Sequence, residues 1–225
     1  MNRIEDGVGG SKREARGERR RNQTRAEILE TARDVVLSKG LANFTLSAVA
    51  KELELTKPAL YYYFDCKEVL LFEMLLREWV ESATEVQAAV EKTENGADAV
   101  DQLMRTVFDR YRDRLELFVL FHKMGPGGEF EAVIGPGELE RIRPINDMLY
   151  GGAEARLRAD QQTGGFPKKR DPRRFAFTAH MAVIGLLNMK AIAASAKDPL
   201  IHSDEDLIED LCTTFRDAAL RGGAK

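Results

Sequence analysis

Apolar positions recur at helical spacing near the start of the chain and predict three helices there. The capping-box sequence TRAE, which starts at Thr24, predicts that a first amphipathic helix begins there and ends at Gly40. Thr45 is a favourable N-cap for a short second helix. Thr56 is a favourable N-cap for a third helix, which has Pro58 in its first turn. Two short helices joined by a brief break are typical of a helix-turn-helix motif.

The rest of the chain alternates helical runs with loops, and no segment has the pattern of a β-strand. A long fourth helix is predicted from about Lys67 to about Val90. Further helical runs are predicted at about 97–123 with a break near Arg114, about 139–162, about 173–196 and about 204–221. Segments rich in glycine and proline at 125–138 and 163–172 are predicted to be loops. The pattern therefore predicts an all-α fold.

The third helix, KPALYYYF, has three consecutive tyrosines that cannot share one face. Residues four apart do share a face, so Leu60 and Phe64 should pack inward, while Lys57 and Tyr61 should point outward with Tyr62 beside them. In a helix-turn-helix motif this helix lies in the major groove of DNA. The outward side chains are therefore predicted to contact phosphates and base edges. A purely core-packed aromatic cluster is the alternative interpretation.

The charge distribution adds a second indication of a polyanionic partner. The first 25 residues contain eight Lys or Arg against four Asp or Glu, whereas the whole chain has a net charge of -3. This basic N-terminal arm has low hydrophobicity and is predicted to be disordered. A solvated tail without a partner is the alternative.

Composition indicates a soluble globular protein, with 44% hydrophobic and 32% charged residues. No apolar run approaches the roughly 20 residues of a membrane span, and the N-terminus lacks the apolar core of a secretory signal. Cys66 and Cys212 lie far apart in the sequence and are expected to be free thiols. We therefore expect a cytoplasmic protein without a membrane partner.

The region from about Ala97 to His180 carries most of the aromatic residues and methionines. At helical spacing such side chains usually form the core, but cavities in helical bundles are built from them together with a few polar groups. The only tryptophan, Trp79, is expected to face the core and to be mostly buried. The candidate effector-binding residues are Trp79, Arg105, Phe108, Tyr111, Phe118, His122, Met148, Phe177, His180, Met181 and Asn188.

The last two helices have the composition of a dimer interface. The first of them is rich in small residues, among them Ala179, Gly185 and Ala193. The second has an apolar stripe that consists of Leu207, Leu211, Phe215 and Ala218. Two such helices from each subunit predict a four-helix bundle across a two-fold axis. Packing within one chain alone is the alternative.

Catalytic signatures do not occur in the sequence. It has no GxSxG, phosphate-binding P-loop, HExxH or CxxC motif. We therefore expect no catalysis, no cofactor and no metal site. The alternative to a DNA-binding regulator is a helical protein-interaction or adaptor module that does not bind DNA.

Three segments carry a resemblance to a known family: ILETARDVVLSKG, FTLSAVAKEL and TKPALYYYFDCKEVLL. With them, residues about 22–70 resemble the DNA-binding head of the TetR (tetracycline-repressor) family of bacterial transcription regulators. The resemblance implies a homodimer that binds a palindromic double-stranded DNA operator and a C-terminal domain that binds a small-molecule effector. A repressor released by a small hydrophobic effector is the function it favours, although some members activate transcription or respond to no ligand.

The sequence departs from the family pattern at three positions. Glu54 stands where the family usually has a glycine, Cys66 where Ser, Asn or Gly is common, and Tyr63 where a histidine is frequent. A positive φ at Glu54 would cost on the order of 1 kcal/mol. Cys66 is a weaker helix cap than the usual residues.

The resemblance also implies roles for individual residues. The phosphate-contacting candidates are Thr45, Tyr61, Tyr62 and Lys67, and the base-reading candidates are Ser47, Lys57, Pro58 and Ala59. In the arm, Arg19, Arg20, Arg21 and Arg25 are candidates for contacts in the adjacent minor groove. The expected domains are a disordered basic arm at 1–21, a helix-turn-helix DNA-binding domain at 22–68, and an effector-binding and dimerisation domain at 69–225.

Overall fold

The computed structural model describes residues 7–40, 43–123, 136–196 and 202–220, and all regular secondary structure among them is helical. In chain order the helices are α1 Gly7–Lys39, α2 Leu46–Glu52, α3 Lys57–Tyr61, α4 Lys67–Val90, α5 Gly96–Tyr111, α6 Leu115–Lys123, α7 Pro136–Thr163, α8 Pro172–Ala196 and α9 Asp204–Leu220. The predicted all-α fold is confirmed. The chain divides into two compact units, Met1–Leu75 and Leu76–Lys225.

The first helix begins earlier than predicted. Thr24 lies inside α1, which extends back to Gly7, so the capping box does not mark its start. The described part of the arm expected to be disordered, residues 7–21, is helical. The physical reason is that this segment contains five arginines, which favour helix, and its glycines do not interrupt the run. The end of the helix is as predicted, because Gly40 follows it with a φ of 75°.

Side chains from four helices form the core of the first unit. Ile28 and Val35 of α1, Val49 of α2 and Leu60 of α3 are buried. Leu70 of α4 joins them. Each lies on the apolar stripe of its helix, so local periodicity is sufficient to form this core.

Threonines cap the two short helices as the sequence predicts. The Thr45 hydroxyl accepts a hydrogen bond from the Ala48 N–H at 3.0 Å, and the Thr56 hydroxyl accepts one from the Ala59 N–H at 3.3 Å. Helix α3 ends at Tyr61, earlier than predicted. The chain then turns so that the Phe64 N–H donates to the Leu60 carbonyl at 3.1 Å.

The turn between α2 and α3 contains backbone strain. Glu54 has a φ of 54°, the only positive value at a non-glycine position in the described residues. This is the left-handed region, in which a Cβ atom crowds the backbone. Glu54 therefore has the positive φ that was expected to cost on the order of 1 kcal/mol.

In the second unit α5 packs against α7, α8 and α9. The approach of α7 is close because Gly96 lacks a side chain: a Cβ atom there would lie 2.7 Å from the Leu157 Cα. Ion pairs join α5 to α9, with Arg105 bridging Asp101 and Glu209 at 2.9 and 2.6 Å. The break predicted near Arg114 separates α5 from α6.

The last two helices differ in how much of their apolar surface packs within the chain. Helix α9 buries Ile208, Cys212 and Ala219. Its predicted interface residues Leu207, Leu211, Phe215 and Ala218 are half-buried. Helix α8 exposes an apolar outer face, which consists of Phe177, Met181, Gly185, Met189 and Ile192.

Helix α8 is also, among the described residues, the one helix long and apolar enough to span a membrane by length and composition alone. This is weak evidence, because core helices of soluble proteins meet the same criterion. The predicted loop at 125–138 lies mostly outside the described residues, with α7 beginning at Pro136.

We expect Glu54→Gly to raise the free energy of unfolding by about 0.5–1 kcal/mol. The substitution removes the left-handed strain, and the larger conformational entropy of glycine in the unfolded chain offsets part of the gain. Urea denaturation followed by circular dichroism measures the change. The matched control is Glu30→Gly, in the exposed interior of α1, which should cost about 1 kcal/mol. Equal destabilisation by both variants would contradict the strain argument.

Candidate DNA interface and effector cavity

Helix α3 presents two different faces. Leu60 and Phe64 are buried, with exposed fractions of 0% and 1%, whereas Tyr61 and Tyr62 are 42% and 66% exposed. Lys57 is exposed on the same side as Tyr61, with its Nζ 5.8 Å from the centre of the tyrosine ring. The inward and outward faces follow the predicted spacing. An outward surface of this kind, with one cation and two phenols, can donate hydrogen bonds to phosphates and base edges.

Two arginines of α1 lie against the aromatic residues of this segment. The Arg21 guanidinium is 5.2 Å from the centre of the Tyr62 ring, and that of Arg25 is 4.7 Å from the Phe64 ring. Arg25 also forms an ion pair with Glu73 at 3.1 Å. Its charge is therefore partly compensated within the unit, whereas Arg21 keeps an exposed side chain.

The remaining DNA-contact candidates lie in the same unit. The hydroxyl of Thr45 accepts the capping hydrogen bond of α2, so the same hydroxyl would also have to bind a phosphate. Ser47 and Pro58 are exposed, and Ala59 is half-buried. Lys67 is the exposed first residue of α4, where free backbone amides attract anions.

The second unit contains an apolar cavity of about 410 Å³. Residues from α4, α5, α6, α7 and α8 form its walls: Trp79, Ser82, Ala83, Tyr111, Phe118, Ile142, Ile145, Asn146, Leu149, Tyr150, His180, Met181 and Ile184. Its volume and its largely apolar lining are typical of small-molecule sites. Five of the effector-binding candidates line it, namely Trp79, Tyr111, Phe118, His180 and Met181. Trp79 is half-buried and lies on the cavity wall.

The other candidates lie elsewhere. Phe108 is in the core, and Arg105 is engaged in its ion pairs between α5 and α9. Phe177 is exposed on α8, with its ring 5.8 Å from that of Tyr150. The Asn188 amide donates to the Ile184 carbonyl at 3.1 Å. Met148 is half-buried and does not line the cavity. The structure does not describe the side chain of His122.

Sequence reasoning missed the contribution of α7. Ile142, Ile145, Leu149 and Tyr150 recur at helical spacing and form one wall of the cavity. The signal was present as an apolar stripe, but a search for aromatic and polar residues does not find isoleucine and leucine. Ser82 and Asn146 were also missed, because a single polar residue on a helix has no distinguishing pattern.

A hydrogen-bonded pair lies on the cavity wall. Tyr150 Oη is 2.6 Å from His180 Nδ1. Burial raises the pKa of the Tyr150 phenol to about 12, against the opposing effect of Arg173. The phenol therefore keeps its proton at neutral pH, and one proton lies between the oxygen and the imidazole nitrogen.

A buried charge cluster lies next to the opposite wall. Arg110 on α5 contacts three carboxylates of α4: its Nη2 is 2.9 Å from Glu78 and 3.3 Å from Glu81, and its Nη1 contacts Glu85. Burial alone would lower the pKa of Arg110, but Glu85 and Glu78 raise it. The cluster adjoins Tyr111 and Ser82, which line the cavity.

The first unit is a helix-turn-helix DNA-binding head, and it is joined to a helical unit that contains a cavity. Residues 28–74 match the family model described as bacterial regulatory proteins, tetR family. This match confirms the resemblance of the head to the TetR family that was found in the sequence. The matched family consists of regulatory proteins, not enzymes.

Solved structures share the fold over most of the chain. A TetR family transcription regulator from Marinobacter aquaeolei VT8 is 17% identical with a TM-score of 0.63, covering 90% of this chain and 98% of that one. A TetR transcription regulator from Haloarcula marismortui is 19% identical with a TM-score of 0.64, covering 88% and 99%. The fatty acid degradation regulator FadR from Bacillus halodurans is 12% identical with a TM-score of 0.65, covering 89% and 99%. No curated protein sequence is significantly similar to this chain.

Proposed function

We propose that this DNA-binding regulator is a homodimeric, cytoplasmic repressor that a small hydrophobic effector releases from a palindromic operator. The observation that carries the proposal is the outward face of α3, where Lys57, Tyr61 and Tyr62 are exposed above the buried Leu60 and Phe64. A regulator that activates transcription, or that responds to no ligand, is the second candidate.

The geometry of the head supports DNA contact through α3 and its surroundings. Lys57 is at the N-terminal end of the helix, the end that reaches the bases in helix-turn-helix proteins. Ala59 is small enough for the backbone to approach the groove and to contact a thymine methyl group. Tyr61, Tyr62 and Lys67 are exposed and suited to phosphates. The side chains of Arg19, Arg20, Arg21 and Arg25 remain our candidates for contacts in the adjacent minor groove.

The cavity supports regulation by a ligand. Its apolar lining favours a hydrophobic effector. Helix α4 begins at Lys67, a DNA-contact candidate, and carries Trp79 on the cavity wall. We infer that an effector shifts α4, which changes the spacing of two DNA-reading helices that must match half-sites about one helical turn, or a multiple of it, apart. The expected negative coupling is about 1–3 kcal/mol.

The exposed apolar face of α8 supports dimerisation through the last two helices. Met189 and Ile192 are 56% and 59% exposed, and no charged side chain lies among the five residues of that face. Gly185 in its middle has no side chain, so another helix can approach closely there, and among the described residues no group of another helix of this chain lies within 4 Å of the place where a Cβ atom would be. We therefore assign the central part of the interface to α8, with α9 beside it.

Selection of bound fragments from the source genome tests the proposal. We expect enrichment of a palindromic sequence whose half-sites are one or more helical turns apart. Binding to it should weaken with salt, with a log–log slope of about -0.9 for each phosphate neutralised. Recovery of no common palindrome, together with a flat salt response, would instead indicate the adaptor function.

Lys57→Ala and Tyr61→Ala should both weaken operator binding, but in different ways. Loss of a base contact at Lys57 should cost about 1–3 kcal/mol and relax the preference at one base pair. Loss of a phosphate contact at Tyr61 should weaken all sequences alike. Fluorescence anisotropy with operator and scrambled duplexes separates the two effects, and Lys51→Ala, an exposed lysine of α2, is the control. Unchanged binding by both variants would exclude α3 as the reading helix.

Trp79 emission should report effector binding. Trp79 is the only tryptophan, and it lines the cavity. A compound that releases operator DNA in a gel assay should shift or quench its emission, whereas a compound of similar polarity that does not release DNA should leave the emission unchanged. Release of DNA without any change in Trp79 emission would show that the effector acts elsewhere.

A further inference from the structure

The lining of the cavity restricts the charge of its ligand. Among the residues that the structure describes, none of those that form its walls is an Asp, Glu, Lys or Arg. An ionised group placed there would lose its hydration without gaining a countercharge, at a cost of several kcal/mol. The cavity therefore favours an uncharged molecule.

The cavity has few polar groups, and the Tyr150 hydroxyl is one that the surrounding side chains hold in place. Tyr150 is only 6% exposed, and its ring is held by Phe177, whose ring centre is 5.8 Å away, and by the guanidinium of Arg173 at 5.9 Å. Its Oη is fixed further by the 2.6 Å contact with His180 Nδ1. The position of this oxygen is thus set before any ligand enters, which lowers the entropic cost of binding.

The remaining hydrogen-bonding capacity of Tyr150 identifies the chemical group that fits. A phenol has one donor and two acceptor sites, and the contact with His180 uses one of them. If Tyr150 donates to Nδ1, its oxygen can still accept a hydrogen bond. If the imidazole donates, the phenol can still donate one. A ligand hydroxyl both donates and accepts, so it satisfies Tyr150 with either imidazole tautomer, whereas a carbonyl satisfies it with only one.

We propose that the ligand of this cavity is an uncharged, largely apolar molecule with a hydroxyl group, and that Tyr150 Oη, positioned by His180, binds that hydroxyl. The inference rests on the proposed function, because it takes the cavity as the effector site. Tyr150 is then a specificity-determining residue that distinguishes an alcohol from the hydrocarbon of the same shape.

The test compares matched probes with matched variants. Menthol and menthane share a carbon skeleton and differ by one hydroxyl group. Their affinities for the full-length protein are measured by calorimetric titration, and the ratio of the two is the readout. Tyr150→Phe removes the oxygen and keeps the ring. Tyr111→Phe makes the same change on another wall of the cavity, at a hydroxyl that bonds to Ser82.

In Tyr150→Phe we expect the ratio of menthol to menthane affinity to fall about fivefold, the value of one neutral hydrogen bond. It should fall less in Tyr111→Phe, because the Tyr111 hydroxyl is already bonded to Ser82. The use of a ratio removes any effect of the substitution on the stability or the volume of the cavity. An unchanged ratio in Tyr150→Phe, an equal fall in both variants, or no binding of either probe to the parent protein would overturn the inference.

A parallel gel assay with operator DNA separates this inference from the proposed function. If Tyr150→Phe lowers the ratio but bound menthol leaves the operator complex intact, the hydroxyl site stands and release by this cavity's ligands fails. If menthol releases the operator and the ratio is the same in all three proteins, the effector function stands and the role of Tyr150 fails.

Discussion

The second unit depends on the ion pairs that the Arg110 guanidinium of α5 forms with carboxylates of α4. The side chain of Arg110 is 7% exposed, and that of Glu78, its closest buried partner, is 3% exposed. Two charges at this depth are tolerated only as a pair, because removal of one partner leaves the other uncompensated at a cost of about 3–5 kcal/mol. The remaining carboxylates, Glu81 and Glu85, extend the contact over two turns of α4. The relative position of α4 and α5 is therefore fixed more strictly than apolar packing alone would fix it.

The ion pairs of Arg110 hold one wall of the cavity in place. Ser82 and Tyr111 are neighbours of the paired residues in sequence, and both lie on the cavity wall. Across the cavity, the Tyr150–His180 hydrogen bond joins α7 to α8 in a similar way. Polar contacts between helices thus set two walls, and the apolar side chains between them leave the space that a ligand can fill. This arrangement explains why a cavity persists in a bundle that otherwise packs closely.

Local signals predicted those parts of the fold that local interactions determine. The bounds of α4 and the caps of α2 and α3 could be read from the sequence, because a cap and a stripe lie within a few residues of one another. The start of α1 could not be predicted, because the capping-box sequence at Thr24 does not begin a new helix when the residues before it are already helical. The cavity could be predicted only in part. Tyr150 and His180 meet because α7 packs on α8, and no periodicity within either helix records that contact.

The same contacts constrain how a ligand could act on α4. The cavity touches α4 at Trp79, Ser82 and Ala83, the stretch that the three carboxylates hold to Arg110. A stretch clamped over two turns resists local bending, because bending would separate at least one carboxylate from the buried guanidinium. A regulatory coupling of about 1–3 kcal/mol is smaller than the cost of breaking that buried pair. Ligand binding should therefore move α4 and α5 together, with the ion pairs of Arg110 intact. The displacement should be taken up where α7 meets α4 through smaller apolar side chains such as Val90, which lies beside Gly152.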